Sequence, residues 1–389
     1  MTTAPRTHDD FVALARALAP RISAAAASAE RARKPDDDVM KAACDGGLFT
    51  MMTPKEYGGA ELDLDTFFEV GLILGHADGS HGWVMTFCIE HVWMFTQFPG
   101  SFQKELFADR AWVLAPGMLS PAGRATRTGD GWVLDGRWQW GTGIVHANWV
   151  IAGAMVDNEK GGKYPAFFAL PREQTTTVDT WNMSGMCGTG SHDVLIDNVF
   201  VPGDRIVSIP DMINARAEGG HLHEGPLYST PMAPILSLAA SLPVLGQAKR
   251  VVDEFSSQLQ KRFDMATFDS QANSATRQVR LAEADMEIAS AEHLMRWVMA
   301  DVMDKRVSAD EKTRIRWTTS IAHAAQTCQR AVNRLAEVAG ASSHFLDNPI
   351  QRARRDINTA AAHMVFDLDE RHRTHGRSLL GLPSQSTWF

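Results

Sequence analysis

Cysteine is scarce in this chain: Cys44, Cys88, Cys187 and Cys328 are far apart, and no two form a C-x-x-C pair. That excludes a disulfide framework and fits reduced thiols in a cytoplasmic protein. Also missing is any uninterrupted apolar run of the ~20 residues needed to span a bilayer. The opening segment, MTTAPRTHDDFVALARALAPR, carries charges through its first apolar stretch, so it is not expected to be a secretory signal. Basic residues are outnumbered, 38 Lys and Arg against 46 Asp and Glu, giving 38 − 46 = −8. Such a balance repels phosphate backbones and anionic lipid, so neither nucleic acid nor membrane is expected as a partner. Gly185, Gly188 and Gly190 do not complete a G-x-G-x-x-G, nor do they open a helix after a strand, which removes support for a dinucleotide-binding fold. There is no internal repeat, and the one low-complexity tract is Ala24–Ala27. Only three tyrosines stand against eleven tryptophans and eighteen methionines. Trp and Met supply polarisable apolar surface, which suits a pocket for a flat ligand and suits an ordinary core equally well.

At 389 residues the chain has room for roughly two to three structural units. Phe11, Leu14, Leu18 and Ile22, and later Val84, Phe87, His91, Met94 and Phe98, recur at helical spacing, so residues 1–109 are expected to form a helical domain. After Arg110 the texture changes to short Val-, Trp- and Phe-rich runs such as AWVLAPGM, GWVLDGRWQW and NWVIAGAMV, divided by turn signals. A central β domain over residues 110–210 follows from this. A Gly- and Pro-rich connector, DMINARAEGGHLHEGPLYSTP, leads into renewed helical stripes: Ala284, Ile288, Ala291, Met295, Val298 and Val302, then Ile321, Ala325, Cys328, Val332 and Leu335. Residues 211–389 are read as the connector and a C-terminal helical bundle. Helical, β and helical blocks in succession predict an α+β fold with segregated layers.

Several segments resemble one family in order and spacing. The run LSPAGRATRTGDGWVLDGRWQWGTGIVHANWVIAGA resembles the β domain of acyl-CoA dehydrogenases, with Ser120-Pro121 at the family's Glu-Pro and Trp140-Gly141-Thr142 at its Trp-x-Thr. MSGMCGTGSHDVLIDNVFVP is similar to the closing β segment, and HFLDNPIQRARRDINTAAAH to the C-terminal helix that carries Arg-Asp. The resemblance covers roughly residues 45 to 381 and implies an N-terminal helical domain, a β-barrel-like middle and a C-terminal four-helix bundle. Where most of the dehydrogenases place a catalytic Glu after Arg355-Asp356, this chain has Met364, whose thioether accepts no proton. His363 stands beside it. Gly82-Trp83-Val84 and His91-Val92-Trp93 are similar to a segment of the flavin-dependent hydroxylases that share this fold and act on hydroxyphenylacetate, phenolic steroid fragments or indoles.

That second resemblance implies the oxygenase component of a two-component (group D) flavin-dependent monooxygenase. It would take reduced flavin (FADH2 or FMNH2) from a separate flavin reductase, with NAD(P)H serving only that reductase. Oxygen would then react to give a C4a-hydroperoxyflavin that hydroxylates a small aromatic compound, phenol- or indole-like. A homotetramer is expected on the same ground. Alternatives are an acyl-CoA dehydrogenase with a relocated base and an N- or S-oxygenating relative.

By the same resemblance His91, His363 and Thr142 are the catalytic candidates: His91 as base or orienting group for the substrate, His363 on the peroxide or substrate side, Thr142 as a hydroxyl near flavin N5. Trp140, Gly141, Thr142, Met118 and Ser120 are expected at the cofactor, and Trp93, Phe87 and Met364 at the substrate. Arg262 or Arg277 of a neighbouring subunit is expected at the flavin phosphate, and the turn Gly340-Ala341-Ser342-Ser343 at the cofactor across that boundary. Taken without the resemblance, Thr142 is an ordinary strand residue, Trp140 a core tryptophan, His91 a satisfied core histidine and His363 part of a polar helix face. His221, His223 and Glu224 lack a second cluster at metal spacing, so no metal is expected.

Overall fold

The computed structural model describes residues 6–158, 161–264 and 268–386. Five helices come first: α1 (His8–Ala32), α2 (Asp37–Asp45), α3 (Leu64–Ala77), α4 (Gly79–Phe95) and α5 (Gly100–Leu106). Their starts are written in the sequence. Thr7 and Asp10 form a reciprocal capping box at α1, and the Asp78 carboxylate caps α4 by accepting from the His81 backbone N–H at 3.0 Å. Asp78 alone separates α3 from α4, so the chain reverses within one residue. Every residue of α4 is buried, which makes it the central helix of this layer.

Close approach fixes where α4 lies. A methyl built on Gly82 would fall 2.7 Å from the Gly75 Cα on α3, and one on Gly75 would fall 2.6 Å from the Pro243 Cα in the C-terminal layer. Gly71 and Gly246 are equally tight, against Leu242 and against the Gly75–His76 backbone. Only hydrogen fits at these contacts, so three backbones meet where side chains would hold them apart.

The middle of the chain forms one seven-stranded mixed sheet: β1 (Gly117–Thr128), β2 (Gly131–Gly141), β3 (Trp149–Asp157), β4 (Lys163–Pro171), β5 (Thr176–Val178), β6 (His192–Pro202) and β7 (Ile206–Ser208), in the order β5-β6-β2-β1-β3-β4-β7. All neighbours run antiparallel except β1 and β3, which are parallel. The sheet curls around its own core: the rings of Trp132 on β2 and Phe168 on β4 lie 5.9 Å apart although β1 and β3 separate the two strands in the order. Trp138, fully buried, donates its indole N–H to the Gly153 carbonyl at 2.7 Å inside that core. The register of β1 against β3 shifts between Met118 and Gly123, which leaves Ser120 and Pro121 exposed on a bulge.

After α6 (Ile209–Ile213) and two short 3-10 turns come α7 (Met232–Lys261), α8 (Ala275–Lys305), α9 (Glu311–Val338), α10 (Pro349–Ala360) and α11 (Leu368–Leu379). The buried residues of α8 are the six of the stripe read from the sequence, Ala284 through Val302. α7 carries a window apolar enough to cross a bilayer, but 83% of that window is buried inside the fold, so its apolarity is spent on the core.

The glycine contact generates a stability prediction. Gly82→Ala gains up to about 1 kcal/mol of helix propensity but drives a methyl into the Gly75 backbone, an overpacking that costs about 1–3 kcal/mol or more. A lower urea midpoint with an unchanged m-value is the expected outcome; an unchanged or higher midpoint would show that α3 and α4 separate freely.

Candidate active site

Helical geometry brings Trp83, Phe87 and His91 to one face of α4, at i, i+4 and i+8. The rings of Trp83 and Phe87 lie 4.9 Å apart, and those of Phe87 and His91 5.5 Å. His363, delivered by the loop after α10, joins them edge-on to Trp83 at 5.5 Å and tilted to Phe87 at 6.2 Å. Two histidines 272 positions apart in the chain thus line one aromatic chamber (363 − 91 = 272). Met364, half exposed, follows His363 at the rim.

Hydrogen bonding assigns the two imidazoles opposite tautomers. The His91 Nδ1 lies 2.6 Å from the Ala115 carbonyl, which only accepts, so Nδ1 carries the hydrogen and Nε2 a bare lone pair. That Nε2 is buried and has no hydrogen-bond partner. It abuts the first residue of β1: a methyl on Gly117 would lie 2.7 Å from it. At His363 the Nδ1 accepts from the Val365 backbone N–H at 3.4 Å, which leaves Nε2–H as the donor. One ring therefore offers a lone pair and the other an N–H. Burial pushes both pKa values down to about 4, so both are neutral near pH 7.

The turn after β2 approaches α4 from the sheet side. A methyl on Gly143 would lie 2.9 Å from Val84 of α4, so this turn sits against the helix beside Trp83. The Thr142 hydroxyl is 3.1 Å from that of Ser191, which is 2.8 Å from that of Thr189, which donates to the Met186 carbonyl at 2.9 Å. A chain of hydroxyls ending on a fixed carbonyl settles the direction in which Thr142 points. Gly141 is tight against β6, where a methyl would meet Val194 at 2.8 Å. Trp140 has a backbone φ of +65° and an indole that is 62% exposed. A bulky residue held in the left-handed region with its ring uncovered is a strained feature of the kind that collects at ligand sites.

Other expected residues lie elsewhere in the subunit. Trp93, two positions beyond His91, is turned about 200° away around the helix; it is fully buried and donates its indole N–H to the Leu227 carbonyl at 3.2 Å, a place in the core rather than in the chamber. The Met118 side chain belongs to the sheet's own core, so any contact of this residue with a cofactor falls to its backbone. Ser120 is on the exposed bulge. Arg262 donates to the Ala339 carbonyl at 3.2 Å and Arg277 lies 3.7 Å from Asp264, both at the turn joining α7 to α8. Within one chain neither arginine is at the aromatic cluster. His223 is a hydrogen-bonded packing residue, 2.8 Å from Glu56 and from Gln103.

Trp83, Glu90, Ser191 and Thr189 were not singled out from the sequence as site residues. Glu90 had a visible signal: it is the one carboxylate within the apolar run WVMTFCIEHVWMF. The hydroxyl chain had none, because Ser191 meets Thr142 across 49 positions.

The arrangement suits a flat redox ring. It offers an uncovered indole and a directed hydroxyl at the end of β2, and a cluster of aromatic rings with a bare imidazole nitrogen on α4. Comparison with known proteins bears on the same point. Residues 5–107 match the acyl-CoA dehydrogenase N-terminal domain and residues 238–368 the acyl-CoA dehydrogenase C-terminal domain. The chain is 30% identical over 383 residues to a pigment production hydroxylase of a Rhodococcus species, covering 97% of this chain and 98% of that one. It is 29% identical over 377 residues to the oxygenase subunit of a flavin-dependent monooxygenase of Rhodococcus jostii (95% and 98% covered). It is 28% identical over 374 residues to the oxygenase component of p-hydroxyphenylacetate 3-hydroxylase of Acinetobacter baumannii (95% and 89% covered). Among solved structures, XiaF of a Streptomyces species in complex with FADH2 and glycerol superposes with a TM-score of 0.90 at 27% identity, covering 97% of each chain.

The two neutral imidazoles generate a pH prediction. In the unfolded chain both take up a proton near pH 6.5, in the fold only near 4, so the stability tied to their neutrality is intact above about pH 6.5 and is lost as pH falls toward 4. His91→Asn keeps a donor for Ala115 and removes one titration. Its urea midpoint is expected to fall less between pH 7 and pH 5 than that of the wild type; an equal fall would mean that His91 is not held neutral.

Proposed function

We propose that this chain, which belongs to the flavin-dependent monooxygenases built on the acyl-CoA dehydrogenase fold and is the oxygenase component of a two-component system, hydroxylates a small phenol- or indole-like substrate held in the chamber of Trp83, Phe87, His91 and His363. The observation that carries this reading is the bare, buried Nε2 of His91 inside an aromatic chamber. Reduced flavin, delivered by a separate reductase, supplies the activation of O2 when bound.

The residues divide the remaining work. Trp140 and Gly141 would hold the flavin ring, and Thr142 would offer it a hydroxyl whose aim Ser191 and Thr189 fix. Ser120 and the Met118 backbone lie along the neighbouring strand. Phe87, Trp83 and Met364 wall the substrate and exclude water. His91 Nε2 accepts a hydrogen bond from the substrate hydroxyl, or takes its proton, and so raises the electron density of the ring carbon that is attacked. For an indole the same atom orients the ring N–H. His363 donates from Nε2–H to an oxygen on the opposite side. Arg262 or Arg277 reaches the flavin phosphate of a neighbouring subunit, in a homotetramer that covers exposed apolar residues of the bundle such as Met286, Trp297, Leu379 and Leu380. The sequence segregates into the helical, β and helical units 1–109, 110–210 and 211–389, and the chamber forms where they meet.

Glu90, whose carboxyl lies 3.3 Å from the His91 Nε2, is not itself a relocated dehydrogenase base. Burial holds Glu90 up at about 8, and an acid that keeps its proton at neutral pH abstracts none.

The test is a panel of phenols and indoles incubated with NADH, a flavin reductase and flavin, scored for hydroxylated product against H2O2. His91→Ala is expected to lower product formation by about 10²–10⁴-fold while reduced flavin is still oxidised and H2O2 takes the place of product. Anaerobic bleaching of the flavin by an acyl-CoA would overturn the reading. Thr142→Val is expected to raise the H2O2 fraction with little change in substrate affinity, and unaltered coupling in that variant would remove Thr142 from the assignment.

A further inference from the structure

Glu90 has no part in the roles assigned above, and it is one of the most isolated polar groups in the fold. Both carboxyl oxygens are buried and neither has a hydrogen-bond partner. Native cores satisfy such groups nearly always, so an orphaned carboxyl beside a site calls for an explanation. Its Oε2 lies 3.3 Å from the His91 Nε2. Because the Ala115 carbonyl holds the hydrogen of His91 on Nδ1, a carboxylate and Nε2 would be two acceptors facing each other, and no bond is possible. A protonated Glu90 is a donor, and burial keeps it protonated up to about pH 8.

We propose that Glu90 is a positioning residue that governs the lone pair of His91. As the carboxylic acid it donates to Nε2, closing that atom to the substrate and holding the ring in its Nδ1–H tautomer. After losing its proton to solvent it leaves Nε2 open. The substrate O–H bond then breaks, an Nε2–H bond forms, the electron pair stays on the phenolate oxygen, and the Glu90 carboxylate, itself unchanged, balances the imidazolium. No redox partner is needed for this step. The inference rests on the reading of His91 as the base for a phenolic substrate.

Other ionisable groups do not intrude. α4 packs against α1, α3, α7, α10 and the short turns Leu48–Thr50 and Cys187–Thr189, as well as the start of β1, and no charged side chain on these elements perturbs either residue; burial, and for His91 the Ala115 carbonyl, account for both shifts. The titratable group that shares the chamber is His363, itself neutral by burial.

The flavin-free protein, labelled with 15N-histidine, allows a test independent of turnover. The His91 Nε2 resonance, identified by its loss in His91→Asn, is expected to shift toward that of an unbonded lone pair as pH rises through about 8, and Glu90→Gln is expected to abolish that step, because the amide donates at every pH. A wild-type resonance that does not move through this range would overturn the inference without any variant having to fold; so would a step that persists in Glu90→Gln. With the complete system, Glu90→Gln should lower kcat on a phenol about tenfold or more above that pH, with KM little changed and the rise of rate with pH lost. If His91→Ala forms product normally while the NMR step is present, the base assignment fails and the coupling stands. If the step is absent while His91→Ala is inactive, only the role of Glu90 fails.

Discussion

The chamber exists because α4 comes closer to α3 and α7 than side chains ordinarily allow. Gly71, Gly75, Gly82 and Gly246 remove the atoms that would keep these backbones apart, and contact through backbone leaves α4 one rotation about its axis. Polar contacts reinforce the choice: the Thr86 hydroxyl lies 2.8 Å from the Ala239 carbonyl of α7, and the Asp78 carboxylate fixes the first turn by bonding both the backbone and the ring of His81. With that face committed to packing, Trp83, Phe87 and His91 have one direction left, toward the start of β1 and the loop after α10. The aim of His91 is thus set largely by glycines, three of which lie on other helices, Gly71 and Gly75 on α3 and Gly246 on α7.

Polarity in the chamber runs against the stability of the core around it. An unsatisfied buried polar group costs about 1–3 kcal/mol, and His91 Nε2 and the Glu90 oxygens, side by side without any other partner, become such groups whenever Glu90 is ionised. Sequences depart from core-packing rules chiefly at functional positions, and α4 departs from them on the face that meets the aromatic rings while the rest of the helix follows them. Trp140 is the counterpart on the sheet side, an exposed indole on a strained backbone where the pairing of β2 with β6 shifts register between Trp138 and Gly141.

How much of this could be read in advance depended on whether a feature was local. Helical stripes are local, so the buried face of α8 was legible residue by residue. The pairing of His91 with His363 was legible only through the family resemblance, since nothing in the sequence between them encodes their meeting. Trp93 was misplaced by proximity: two positions along a helix is nearly the opposite face, whereas four is the same one, and Phe87 was the better guide. Met118 was misplaced by strand alternation, which turns its side chain into the core of the sheet while its backbone pairs with Ala152 of β3 near the start of β1. Glu90 was overlooked because a carboxylate in a sequence reads as solvent-facing until the helix around it is seen to be buried on every side.

The exchange of a carboxylate for Met364 changes more than the identity of a base. A dehydrogenase site keeps a charged carboxylate at the flavin, and a charge brings either water or a counter-ion with it. Here the ring-lining groups are two imidazoles, kept neutral near pH 7 by burial, and two aromatic rings, with a neighbouring carboxyl that is protonated at the same pH. A chamber without net charge needs neither water nor counter-ion, and exclusion of water and stray protons is what oxygen transfer from a reduced flavin demands. The absence of a carboxylate at position 364 and the burial of two neutral histidines therefore act in the same direction, since both keep formal charge out of the chamber.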